Sequence, residues 1–232
     1  YINHAADYGI SVKEGKADFD AIVKRSRGVA DKMSGGVQFL MKKNKIDVLM
    51  GTGKVKVGKK VDVTDDKGKT TEYSAKNIVL ATGARSRQLP NLPQDGKNII
   101  GYREALVLPK MPKKMVVVGS GAIGVEFAYF YNTMGCEVTV VEYMPNIVPV
   151  EDAEVSKQLE RSFKKQGIKI MTNSSVESVD TAGKGCRVKV KTKKGEEVLD
   201  CDVVLSAVGI AANIENIGLE EVGIVTDKGK VL

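Results

Sequence analysis

The stretch Met115-Val116-Val117-Val118-Gly119-Ser120-Gly121-Ala122-Ile123-Gly124-Val125-Glu126 decides the fold. Val116 to Val118 read as a buried strand, and the Gly-x-Gly-x-x-Gly spacing of Gly119, Gly121 and Gly124 opens a helix directly behind it. Each glycine has its own task. Gly119 permits a tight turn, Gly121 leaves room for a diphosphate against the backbone, and Gly124 lets the helix approach the strand. The helix start adds unpaired N–H donors and about half a unit of positive partial charge, which suits that anion. Ile123, Phe127, Phe130 and Met134 line one face of this helix, and Ala128 supplies a small contact.

A second strand, Val138 to Val141, ends at Glu142, 18 residues beyond Gly124. A carboxylate at that place accepts hydrogen bonds from an adenosine ribose, each on the order of 1.5–3 kcal/mol, and repels a 2′-phosphate. The next Arg is Arg161, so the pattern favours NAD over NADP. The glycine motif by itself leaves FAD open as the alternative ligand.

Outward from this loop the pattern is strand, helix, strand. Met115–Val118, Ala122–Met134 and Glu137–Glu142 are followed by a helix from about Asp152 to Gln166 and a strand at Ile168–Met171. This βαβαβ order predicts a parallel sheet with right-handed crossovers. Val176–Asp180, Arg187–Lys191 and Glu196–Leu199 read as an antiparallel meander inserted before the apolar strand Asp202–Val208.

Upstream, Asp18 is a helix N-cap, and Ile22, Val29, Met33, Val37, Leu40 and Met41 recur at helical spacing up to Asn44, with a bend expected near Gly35-Gly36. Strands are expected at Asp47–Met50, Lys54–Val57, Lys60–Val63, Thr70–Ser74 and Asn77–Ala81. Residues 88–112 contain Pro90, Pro93, Pro109 and Pro112 and one short helix at Arg103–Leu106, which predicts a connector and a domain boundary near Pro109.

Composition narrows the class. The chain has 232 residues, 42% hydrophobic and 28% charged, which suits one large or two small globular domains. No apolar run approaches the roughly 18 residues of a membrane span. The net charge of +7 lies entirely in residues 1–108, with 20 basic against 12 acidic residues, while residues 109–232 carry 16 against 17. Pairs such as Lys42-Lys43 and Lys59-Lys60 stand at element ends without interleaved aromatics, so nucleic acid is not an expected partner. Cys136, Cys186 and Cys201 form no CxxC pair, and His4 is the one histidine, so no metal site is expected. All three thiols are expected to be reduced, buried and inert, as in a cytoplasmic protein.

These residues resemble the flavin-dependent pyridine nucleotide–disulfide oxidoreductases, most closely the branch that oxidises dihydrolipoamide. Three motifs carry the resemblance, which spans essentially the whole chain. They are Ile78-Val79-Leu80-Ala81-Thr82-Gly83-Ala84, the loop Gly119–Gly124 with Glu126, and Ala207-Val208-Gly209 followed by Asn213. The resemblance implies an α/β fold: a Rossmann-like NAD-binding domain at 109–213 with an inserted antiparallel meander. An incomplete FAD-domain portion of one long helix and a small sheet would occupy 1–108, with the return to the flavin side beginning at 214–232.

For cofactors it implies NAD contacts at Gly119, Ser120, Gly121, Ala122, Ile123, Gly124, Val125, Glu126, Glu142, Val176 and Gly209. FAD contacts are implied at Gly53, placed in a Gly51-Thr52-Gly53-Lys54 turn, and at Thr82, Gly83 and Ala84. Gly53 and Gly83 also read as plain turn glycines, and Val176 as plain core. The small Ala122 would leave the nicotinamide entry open. Implied partners are the lipoyl domains of 2-oxo acid dehydrogenase complexes and a second copy in a homodimer, without nucleic acid or membrane.

The departures from the family pattern are Ile210 and Ala212, which stand where the family has Arg and Pro. A first Gly-x-Gly-x-x-Gly loop for FAD has no counterpart. The redox cysteine pair is expected before Tyr1 and the acid/base His-Glu pair after Leu232, which makes the chain an internal fragment retaining NAD but not FAD. His4 has the wrong context to replace that His. Soluble transhydrogenases, mercuric reductases, NADH oxidases and a non-catalytic nucleotide-binding module remain alternatives.

Overall fold

A computed structural model describes residues 2–11 and 15–232, without the side chains of residues 2–4, so the expectation for the His4 side chain lies outside the described residues. In chain order the elements are α1 (Phe19–Lys43), β1 (Thr52–Lys56), β2 (Lys60–Thr64), β3 (Thr70–Ser74), β4 (Ala84–Ser86), β5 (Ile99–Ile100), α2 (Tyr102–Ala105), β6 (Lys114–Val118) and α3 (Ala122–Thr133). There follow β7 (Glu137–Val141), α4 (Ala153–Lys165), β8 (Lys169–Met171), β9 (Ser175–Asp180), β10 (Cys186–Thr192), β11 (Gly195–Cys201) and β12 (Val203–Ser206). Three short strands, β13 (Ile210–Ala212), β14 (Thr226–Asp227) and β15 (Lys230–Val231), complete the chain.

The chain divides into two compact units. One takes the chain up to Asp31 and Leu89–Ala207; the other takes Lys32–Gln88 and Val208–Leu232.

In the first unit a five-stranded parallel sheet runs β5-β12-β6-β7-β8. Its central strands are buried on both faces, as the valine runs of β6 and β7 require. Tyr131 of α3 is fully buried between Phe19, Phe127 and Phe130, and its hydroxyl donates to Ala105 O at 2.6 Å. That bond satisfies the one polar atom of a large core ring. Asp152 caps α4 by accepting from the N–H groups of Glu154 and Val155. The antiparallel meander β9-β10-β11 leaves the parallel sheet after β8 and returns to it at β12.

The expected connector at 88–112 is more structured than its sequence suggests. Ile99 and Ile100 are buried and form β5, the sheet edge beside β12, so these residues belong with the parallel sheet and the unit begins at Leu89, upstream of the expected boundary at Pro109. A two-residue strand has too few residues to show a period in sequence.

The second unit contains the antiparallel sheet β1-β2-β3 and the pairs β4-β13 and β14-β15. Helix α1 begins at its Asp18 cap, where Asp18 accepts from Ala21 N at 2.9 Å, and runs unbroken through Gly35-Gly36. None of its residues is fully buried: Phe19 packs on the core and Ile22 and Met41 are half-buried, while Val29, Met33, Val37 and Leu40 of the expected stripe are exposed. The strands expected at Asp47–Met50 and Asn77–Ala81 do not form. Met50 and Val79 are 80% and 86% exposed. An apolar run becomes a strand only where a ladder partner lies beside it, and neither run has one among the described residues.

Candidate functional site

The loop between β6 and α3 is built as the glycine spacing predicts. Gly119 turns with φ 96°, a left-handed conformation, and its N–H donates to Val141 O at 2.9 Å. Gly124 sits directly under that turn: a Cβ added to it would lie 2.1 Å from Gly119 O and 3.4 Å from the Ala207 Cβ. Only hydrogen fits there. This is the close helix-to-strand approach that the third glycine permits.

Gly121 is different. Its φ of −67° and ψ of −178° suit any residue, and a Cβ built on it meets no protein atom within 4 Å. The fold therefore makes no demand for glycine there; it leaves an open space in front of the backbone. Gly121 is also the N-cap of α3 and has no side chain with which to cap. The first intrahelical bond is Val125 N to Gly121 O, so the N–H groups of Ala122, Ile123 and Gly124 have no intrahelical acceptor. Val125 and Gly124 are buried, Ile123 is half-buried, and Ala122 and Glu126 are exposed.

Glu142, immediately after β7, is 7% exposed and firmly held. Its Oε2 accepts from Ser120 N at 2.8 Å and from Ser120 Oγ at 2.6 Å, and its Oε1 accepts from Met144 N at 2.8 Å. Its main chain bonds to Met171 O and to Ser174 N. A carboxylate has about four acceptor positions, so three are filled and one, on Oε1, is open. Sequence reasoning placed Ser120 and Glu142 in the same site but missed that they bind each other. The signal was the hydroxyl in the second position of the loop. Nearby, the Ser206 Oγ is buried at the end of β12, in register with Val118, without a hydrogen-bond partner among the described residues.

Val176 is buried in β9 opposite Val190, and its carbonyl accepts from Asn91 Nδ2 at 2.8 Å. The remaining residues implied by resemblance lie in the second unit. Gly53 is not in a turn: it stands within β1 opposite Val63. The strained position is Gly51, at φ 147°, where a Cβ would meet Thr64 O at 2.3 Å. Gly83 adopts φ 72°, and Asn213 holds this turn by two bonds, its N–H donating to Gly83 O at 3.0 Å and its Nδ2 to Thr82 O at 3.1 Å. Ala84 pairs with Ala212, and Gly209, at φ 106°, accepts from Arg87 N.

Sequence reading noted the lost cation at Ile210 and passed over Arg85. Its guanidinium bonds Ala212 O, Asn213 Oδ1 and both oxygens of Glu215. That fork holds the Glu215 carboxyl down at about 2.

A parallel sheet, a glycine loop opening a helix and a carboxylate at the next strand end define a dinucleotide-binding α/β protein. The chain belongs to the pyridine nucleotide-disulphide oxidoreductase family, which it matches over residues 4–232. It is 44% identical to a dihydrolipoyl dehydrogenase of Rhizobium etli over 250 residues, covering 100% of this chain and 52% of that protein. It is 42% identical to the dihydrolipoyl dehydrogenase of Zymomonas mobilis over 229 residues, covering 98% of this chain and 49% of the relative. The crystal structure of LpdA from Mycobacterium tuberculosis superimposes with a TM-score of 0.88 at 29% identity, over 98% of this chain and 50% of that one. The chain thus spans about half the length of the relatives it matches. No described helix is long and apolar enough to cross a membrane, and the described residues contain no cluster of three metal-ligating side chains.

Proposed function

We propose that this chain carries the NAD platform of a dihydrolipoyl dehydrogenase, the component of 2-oxo acid dehydrogenase complexes that oxidises dihydrolipoamide with NAD⁺ through FAD and a redox disulfide. The open space before Gly121 supports this reading most directly, because the protein's own packing gives no reason for it. The diphosphate would lie against Gly121, facing the free N–H groups of Ala122, Ile123 and Gly124. Glu142 would take one ribose hydroxyl at its open Oε1 position while Ser120 keeps the carboxylate aimed. NAD⁺, when bound, accepts the hydride of the overall oxidation. On this reading Val176 borders the adenine, Glu126 belongs to the wider nucleotide surface, and the parallel-sheet segment Leu89–Ala207 forms the nucleotide domain.

At the residues implied for the flavin, Cβ positions at Gly53 and Gly83 would make ordinary contacts with Val61 Cγ1 at 3.7 Å and Asn213 Nδ2 at 3.9 Å, and Thr82 and Ala84 are engaged by Asn213 and β13. The sequence has no second Gly-x-Gly-x-x-Gly loop for the flavin diphosphate, so FAD is expected not to stay on this chain alone. The lipoyl domains of the complexes, a homodimer of the intact enzyme and a cytoplasmic location belong to the same proposal.

Two experiments test it. Calorimetric titration of the chain with NAD⁺ is expected to show binding, while an assay with dihydrolipoamide and NAD⁺ is expected to show no turnover. Turnover by this chain alone, or absence of NAD⁺ binding to folded chain, contradicts the proposal. A second expectation concerns Gly121→Val: NAD⁺ affinity should fall at least about 30-fold, or about 2 kcal/mol, with the melting temperature unchanged. A large fall in melting temperature would mean that Gly121 serves packing instead.

A further inference from the structure

Cys186 and Cys201 stand 15 positions apart in sequence, yet the β10–β11 register sets them directly opposite each other. Both are buried, at 4% and 7% exposure, and both are unbridged. Cys186, Val188 and Val190 form the inward row of β10, and Cys201 ends β11 on the same face. Opposed residues in an antiparallel pair have Cα atoms about 4.5–5.5 Å apart, inside the roughly 4.4–6.8 Å range of disulfides. Their Cβ atoms, about 4.5–5.5 Å apart, must close by up to about an ångström to form the bond, which makes it strained and easily reduced.

We propose that Cys186 and Cys201 are an oxidisable dithiol that closes to a cross-strand disulfide under hydrogen peroxide. Cys186 Sγ donates to Asn98 O at 3.5 Å and to Asp202 O at 3.9 Å, and the facing Cys201 lowers the Cys186 thiol from its ordinary value while Cys186 raises that of Cys201. Cys201 also lines a cavity of about 220 Å³ with Lys114, Glu137, Thr139 and Lys169, which is ample for peroxide. One sulfur, as thiolate, attacks a peroxide oxygen. The O–O bond breaks, a sulfenic acid forms, and the departing hydroxide takes up the released proton as water. The second thiol then attacks the sulfenic sulfur, so that the S–S bond forms and the S–O bond breaks. The leaving hydroxide carries off that thiol's proton as a second water. Two thiols lose two electrons and two protons, and one peroxide becomes two waters.

Cys136 is the internal control. It is 2% exposed, has no facing cysteine, and burial pushes its thiol up to about 12.

The test treats the folded full chain with hydrogen peroxide, quenches with acid, alkylates in denaturant and maps the peptides by mass spectrometry. The expected result is a Cys186–Cys201 linked peptide, lighter by two hydrogens than the sum of its parts. It should disappear on adding dithiothreitol and in Cys186→Ser, at a peroxide dose that leaves the Cys136 peptide fully alkylated. Three alkylatable thiols after treatment, a bridge through Cys136, or over-oxidation of both cysteines without a link would each overturn the proposal. Peroxide treatment in urea should slow formation of the Cys186–Cys201 link, since only the short loop between them then favours the pair; linking at an unchanged rate would show that the fold does not create it, and would also overturn the proposal.

Discussion

Gly124→Ala is expected to destabilise the first unit by about 2–3 kcal/mol and to abolish measurable NAD⁺ binding. The added Cβ would lie 2.1 Å from a backbone oxygen, Gly119 O, and no flexible side chain is there to move aside. Either the turn or the start of α3 has to shift. Behind the site, Ala207 blocks retreat at 3.4 Å, and the buried Val125, Ala128 and Tyr131 hold the helix in place. The predicted movement therefore carries the N–H groups of Ala122, Ile123 and Gly124 away from the diphosphate position. For a chain of this size the loss amounts to a melting-point drop of roughly 4–12 °C, readable by calorimetry. Unchanged melting and binding would show that the loop is looser than its geometry implies. The contrast with Gly121, where substitution should spare stability, separates a packing glycine from a ligand glycine.

The second large effect is expected at Glu142→Ala. The substitution strands three donors, Ser120 N and Ser120 Oγ in a buried site and Met144 N in a partly buried one. Each buried unsatisfied group costs about 1–3 kcal/mol, softened where water enters the space left by the side chain. NAD⁺ binding should weaken about 10–100-fold, because the ribose loses its acceptor and the loop loses the anchor that aims it. NADP⁺ binding should weaken less, since the carboxylate that repels a 2′-phosphate has also gone. Titrating both nucleotides against both proteins decides the matter. Equal losses for the two nucleotides would leave Glu142 a structural anchor for Ser120 and remove it from the ribose.

The parts legible in sequence were those whose physics is local. The turn at Gly119, the close approach at Gly124 and the Asp18 cap each depend on a few consecutive residues, and the structure has them where the sequence placed them. Partnership was harder to read. Ile78-Val79-Leu80 has the composition of a strand but no ladder, whereas Ile99-Ile100 has almost no pattern and yet becomes a sheet edge. The same gap hid the two bonds from Ser120 to Glu142, 22 residues apart, and the facing of Cys186 with Cys201. Each depends on register between distant segments, which hydrophobic period does not encode. Gly53 was misplaced for a related reason. Two glycines two residues apart look alike in sequence, and only the ladder shows that Gly51 is pressed against Thr64 while Gly53 is paired inside β1.

The strand order β5-β12-β6-β7-β8 has a consequence for how the chain is made. β12 lies between β5 and β6 but ends at Ser206, long after both have been synthesised. Until it emerges, Ile99-Ile100 has no neighbour to pair with, and one flank of β6 presents unpaired N–H and C=O groups. The sheet is thus closed by an interior strand, which arrives last through a non-local contact, the kind that slows folding and leaves sticky edges open on the ribosome. A chain stopped anywhere between Glu126 and Val203 would contain the whole glycine loop and still lack β12, the neighbour of the strand that carries that loop.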